Sequence, residues 1–278
     1  MKHIHHKGQG LFADLNELLK IYYDACEKTT DFEVDITYEF YAYKDKLSDI
    51  SFDPFIIFNK PTPKYIEHFK NVHHPKLNNP YHKTRVCTCE HRKKLIDYGF
   101  QINPELLNRV NNFYNNNKDY YLIGVHSRFH YHKQSAVSGQ TQLVNPNQLV
   151  KNIDKYIEEN NIKNYKIYLS TDLKYTLNIF IEKYGNNLLY NKENIWMSDK
   201  HDSPDEPHFG WTPNLEEKRE IFHKNKPGYK GGQELLIDAL SLSKCNYFFP
   251  SNSNLSQWVI NFNPDIKLSI DYDILFTE

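Results

Sequence analysis

Three short segments of this 278-residue chain gather residue types suited to holding an anion. Tyr120-Tyr-Leu-Ile-Gly-Val-His126-Ser-Arg128 is an apolar run that closes on a histidine and an arginine. Ile167-Tyr-Leu-Ser-Thr171-Asp172 closes on a hydroxyl and a carboxylate, and Asn246-Tyr-Phe-Phe-Pro250 is followed by Ser251-Asn252-Ser253-Asn254. The arginine guanidinium is a permanently charged fork of N–H donors that matches phosphate or carboxylate. A Ser/Asn turn opening a helix adds hydroxyl and backbone donors, and Asp172 is an acceptor for a base or a ribose. Each segment also has an ordinary reading: Arg128 as a solvated strand end, His126 satisfying a local carbonyl, Ser253 or Asp172 as a helix cap. A fourth segment, Lys7-Gly8-Gln9-Gly10, lies between a short strand and a helix. Glycines there let the backbone approach a ligand, although a tight turn alone would also use them.

The elements that must position these residues read as alternating strands and helices. The runs ending at Arg128, Asp172 and Pro250 are almost wholly apolar, as strands buried on both faces are. Between them the sequence predicts a helix opening at Asn145-Pro146 with Leu149, Ile153, Tyr156 and Ile157 on one face. A second carries Leu177, Phe180, Ile181 and Tyr184, a third runs from Gln233 to Ser243, and a fourth carries Trp258, Ile260 and Phe262. Such alternation argues for a parallel α/β sheet, whose strands end on a common edge. His126 with Arg128, Thr171 with Asp172, and Ser251 to Asn254 then face one crevice.

The first half is less regular. A helix from about Leu11 to Glu27 shows Leu11, Leu15, Leu18, Leu19 and Tyr22 at helical spacing. Strands are expected near Phe32 to Phe40 and Pro54 to Phe58, and Asn103-Pro104 opens a helix. A polar insertion is expected from about Ser198 to Gly232. Asn115-Asn-Asn117-Lys-Asp marks the expected boundary between a domain of residues 1–117, on the acceptor side, and one of 118–278.

Composition excludes several classes. With 34 basic and 35 acidic side chains the net charge is -1, so no global field recruits nucleic acid. No apolar run has the length of a membrane span and the start lacks a signal-peptide core, so a soluble, cytoplasmic protein is expected. The cysteines Cys26, Cys87, Cys89 and Cys245 are too dispersed for a disulfide framework. Cys87-Thr-Cys89-Glu-His91, with His73 and His74, has a one-residue spacing unlike a zinc knuckle, and no metal is expected.

The three strand-end segments, in this order, resemble the motifs of the fucosyltransferase clan, which includes the α-1,6-, α-1,2- and protein O-fucosyltransferases. Ile123-Gly-Val-His126-Ser-Arg128 is similar to their His-x-Arg motif and Ile167 to Asp172 to their second. Leu236-Ile-Asp238-Ala-Leu-Ser-Leu-Ser-Lys-Cys245-Asn through Ser253-Asn-Leu-Ser256 is similar to the third, and Gly8-Gln9-Gly10-Leu-Phe-Ala-Asp-Leu-Asn16 to the glycine-containing loop that faces the donor. The resemblance spans about residues 120–275 and, more loosely, the first 30. It implies a GT-B-like α/β enzyme of two Rossmann-like domains, its donor site at the carboxyl ends of the carboxyl-terminal parallel strands. It implies an inverting, metal-independent transfer of fucose from GDP-fucose to a glycan acceptor, without cofactor. Arg128 and His126 would be the catalytic pair. Gly8, Gln9, Gly10, Arg128, Asp172, Asp238, Ser251, Asn252, Ser253 and Asn254 would bind the donor.

Departures are visible as well. Phe129 stands where relatives often carry a second arginine, leaving His130, His132, Lys133 and Lys230 as other positive groups. Another nucleotide sugar, or nucleotide or carbohydrate binding without turnover, are the alternatives. Asp271-Tyr-Asp273 spells the metal-binding pair of GT-A transferases, but it lies beyond the parallel units.

Overall fold

The computed structural model describes residues 2–4, 11–12, 15–16, 19, 33–35, 56–58, 92–94, 96–97, 100–127, 145–171, 173–193, 228–251 and 253–269. In the first hundred residues β1 (Lys2–Ile4) pairs in parallel with β2 (Glu33–Asp35), and β3 (Ile56–Phe58) pairs antiparallel with β4 (Phe100–Ile102). Helical residues occur at 11–12, 15–16 and 19, and at 92–94 and 96–97.

The rest is a βα succession. It comprises α1 (Pro104–Asn117), β5 (Tyr121–Ser127), α2 (Pro146–Glu159), β6 (Tyr165–Thr171), α3 (Lys174–Tyr184), β7 (Leu188–Tyr190), α4 (Gly228–Leu242), β8 (Tyr247–Phe249), α5 (Asn254–Phe262) and β9 (Lys267–Leu268). Local chemistry sets the helix starts. Asn103 and Asn145 each accept a backbone N–H two residues on, at 2.8 Å, and each precedes a proline at the first helical position, where the missing N–H costs nothing. Gly185, at φ 50°, ends α3 in a conformation that side chains with a Cβ disfavour.

The five strands β7-β6-β5-β8-β9 form one sheet in that order, with every neighbouring pair parallel. The chain enters at the central β5, moves outward to β6 and β7, then returns to the other side of β5 for β8 and β9. The order thus reverses between β5 and β8, the place where open α/β sheets leave a crevice beyond their carboxyl ends. Ile123, Val125, Ile167, Leu169 and Phe249 face one core with Leu149, Ile153, Leu177 and Phe180 of α2 and α3. Leu122, Tyr168 and Phe248 face another, with Leu236, Leu240, Trp258 and Val259 of α4 and α5.

Several expectations change at this level. Ile181, expected on the buried face of α3, is 42% exposed, because Thr176, Leu177, Phe180 and Tyr184 already fill the stripe. Helix α4 begins at Gly228 rather than Gln233, with Gly231 and Gly232 buried inside it. The amino-terminal helix and α1 also join the second core: Leu11, Phe12, Leu15, Leu19, Phe100, Leu106 and Val110 pack with Trp258 and Leu236. The Tyr120 N–H bonds the Asn117 carbonyl in a tight connection from α1 to β5. Arg109 of α1 forms a two-pronged ion pair with Glu234 of α4, at 2.8 and 2.7 Å, and Asn191 donates to the same carboxylate at 2.7 Å. That bond raises the Arg109 pKa above its ordinary value. Among the described residues no helix is long and apolar enough to cross a membrane.

Candidate functional site

The strand registers bring the predicted segments together. His126 is the Cα partner of Ser170, Ser127 of Thr171, and Val125 of Phe249, so the carboxyl ends of β6, β5 and β8 lie side by side. Partners in a parallel ladder share a face. His126 and Ser170 are thus on the side of the sheet that α4 and α5 cover.

His126, only 6% exposed, is held at this edge by serines from the turn after β8 and the start of α5. Its Nδ1 lies 2.8 Å from Ser256 Oγ, 2.9 Å from Ser251 Oγ and 3.1 Å from Ser253 Oγ. The serines are themselves tied to the backbone of the turn. Ser256 Oγ accepts the Ser251 N–H at 3.2 Å, and Ser253 Oγ accepts the Ser256 N–H at 3.1 Å as the N-cap of α5. A hydroxyl that accepts a backbone N–H keeps its own proton, so Ser256, the nearest, is able to donate to Nδ1, and the ring's tautomer sets which of the three serines donates and which accepts. With Nδ1 accepting, the neutral ring carries its proton on Nε2; with Nδ1 donating, a serine oxygen accepts it. The adjoining amino end of α5 carries the positive pole of its dipole.

Asp238 of α4 reaches the same face from beneath. It is fully buried; Oδ1 accepts from the Tyr168 hydroxyl at 2.8 Å and Oδ2 from Ser170 at 2.7 Å. Burial first, and then the neighbouring carboxylate, hold the Tyr168 phenol well above its ordinary range. Through Ser170, the register partner of His126, Asp238 is linked to the edge.

Of the sequence-predicted residues, His126, Ser251 and Ser253 meet around one ring nitrogen, Asn254 is exposed on the first turn of α5, and Asp238 lies below. Gly8, Gln9, Gly10, Arg128, Asp172 and Asn252 lie outside the described residues, as do Phe129, His130, His132, Lys133, the Lys230 side chain, the Cys87 to His91 segment and Asp271 to Asp273. No group of histidine, cysteine or carboxylate side chains able to hold a metal occurs among the described residues. Sequence reading assigns no role to Ser256 or Gln257, although Ser256 sits three residues after the cap, where a hydroxyl turns back toward β5.

The sheet and its flanking helices define an α/β fold that matches solved structures of one glycosyltransferase over nearly the whole chain. They are crystal structures of NodZ. One, the alpha-1,6-fucosyltransferase soaked with GDP-fucose, has a TM-score of 0.57 at 15% identity, covering 95% of this chain and 92% of that one. NodZ from Bradyrhizobium gives 0.58 at 15% identity, covering 95% and 93%, and the enzyme co-crystallised with GDP gives 0.55 at 15%. At this identity the likeness is one of fold. No protein-family model and no curated protein matches the sequence.

Proposed function

We propose that the protein is an inverting, metal-independent glycosyltransferase that moves fucose from GDP-fucose to a glycan acceptor. The observation that carries the reading is the meeting of His126 with Ser251, Ser253 and Ser256 at the β5/β8 reversal, in a fold shared with NodZ. In this reading Arg128, directly after the described end of β5, takes the diphosphate and offsets the charge that grows on it as the bond to the sugar breaks. His126, its Nδ1 held by the serines, lines the same site. Groups held in place before the reaction act without reorganising, and removing one such donor typically costs about 3 kcal/mol of barrier. Gly8, Gln9, Gly10, Asp172, Asn252 and Asn254 complete the donor side, with Asp238 behind Ser170. Residues 1–117 supply the acceptor side.

The test is a thermal-shift titration of the purified chain with GDP, GDP-fucose, UDP and UDP-sugars, followed by transfer to a glycan panel with and without chelator. A ligand specific for the folded state raises Tm by mass action, and the reading requires that GDP do so far more than UDP. Arg128→Lys should then lose most turnover, since an ammonium cannot reproduce the fork. Equal stabilisation by UDP, or full activity of Arg128→Ala, would overturn it.

A further inference from the structure

Among the described residues of the amino-terminal helix, Asn16 makes side-chain hydrogen bonds to the helix that holds His126. Asn16 lies beside the buried Leu15 and Leu19, on the edge of a helical face that is otherwise apolar. Its amide nitrogen donates to Asn254 Oδ1 at 3.1 Å and to Gln257 Oε1 at 2.9 Å, while its oxygen accepts from Trp258 Nε1 at 2.8 Å. One amide therefore spends both its donors and its acceptor on three residues in the first two turns of α5. The same two turns contain Ser256, and Ser253 caps them, so the helix grips His126 on one side and Asn16 on the other. The Trp258 ring is fully buried among Phe12, Phe100 and Phe262, so its N–H has few alternatives if the Asn16 oxygen is removed.

We propose that Asn16 is a positioning residue of the donor site, fixing the rotation of α5 so that Ser253 and Ser256 meet His126. The inference rests on the donor-site reading above and deepens it. Asn16 touches neither the ring nor the hydroxyls; it acts through the helix.

Asn16→Leu and Asn16→Asp separate this from a packing role. Leucine suits a helix and the apolar surroundings but leaves the Trp258 N–H without its acceptor. Aspartate keeps that acceptor, and the amides of Asn254 and Gln257 can turn to donate to it. Two readouts are taken on the folded full-length chain, well below Tm: GDP affinity by calorimetry, and the tautomer of His126 from two-bond nitrogen–proton correlations. Asn16→Leu should weaken GDP roughly tenfold, the worth of one net hydrogen bond, and shift the His126 pattern, while Asn16→Asp restores both. GDP affinity and His126 signal both as in the wild type in Asn16→Leu, even with a lowered Tm, would overturn the proposal. Should Asn16→Leu not fold, Asn16→Ala carries the same readouts. A wild type that does not bind GDP would overturn the donor reading, and the His126 signal would still decide the role of Asn16.

Discussion

The two faces of the central strands carry different chemistry. On the α2/α3 side β5 and β6 present Ile123, Val125, Ile167 and Leu169, all fully buried, and turn polar only at their last residues, Ser127 and Thr171. On the α4/α5 side the alternate positions are Leu122, Gly124, His126, Tyr168 and Ser170, which grow more polar toward the carboxyl end. One face is a dry core that supports the sheet; the other passes from core to site within a few residues. A strand buried on both sides can therefore divide its duties by parity, and substitutions of equal size on the two faces should separate stability from binding.

The largest effect is expected on the dry face. Phe180→Ala removes a fully buried ring and should cost about 3–5 kcal/mol in urea unfolding, while GDP affinity of the folded fraction holds. A parallel loss of affinity would show that the faces are not independent. On the polar face Asp238→Asn weakens bonds from Tyr168 and Ser170 to a buried charge, with an expected cost of about 1.5–3 kcal/mol. Here affinity should fall with stability, because Ser170 is the register partner of His126. Gly124→Ala comes next. A Cβ there would stand 3.1 Å from Leu242 Cδ2 and 3.2 Å from Cys245 Sγ, so β5 and α4 must part by a few tenths of an ångström, at about 1–2 kcal/mol. Unchanged unfolding of Gly124→Ala would show that the contact yields freely.

The same division explains what the sequence discloses. β5, β6 and the starts of α1 and α2 are legible because each is decided locally, by an apolar run or by Asn-Pro at a cap. His126, Ser251 and Ser253 are legible as strand-end residues once the strands are taken as parallel. β4, β7 and β9 are two or three residues long and owe their existence to a neighbouring strand, so no periodicity announces them. The glycines at the start of α4 read locally as loop; the helix there is decided by packing, with Gly231 and Gly232 buried. Neither Asn16 nor Ser256 differs by type from a surface residue, and the partners Trp258 and His126 that mark them lie more than a hundred positions away. The continuity of α1 with the carboxyl-terminal core escapes notice for the same reason: Arg109 and Glu234 are 125 residues apart.

The smallest effect tests how closely the polar face is sealed. Cys245 packs under Gly124, fully out of solvent, and burial pushes its thiol well above the ordinary value of 9.0. The unfolded chain therefore releases this proton near pH 9 while the folded chain keeps it. Stability from this source is intact below pH 9 and falls as pH rises toward the folded value, by at most about 1.4 kcal/mol per pH unit. Tyr168, raised likewise, adds to the decline only above its ordinary 10.0. Between pH 8 and 10 the Tm of Cys245→Ala should thus fall less steeply than that of the wild type, whatever the two share at pH 7. Equal slopes would mean that the thiol ionises in the folded state. Water would then reach the space between β5 and α4, and the polar face would be open well below the His126 edge.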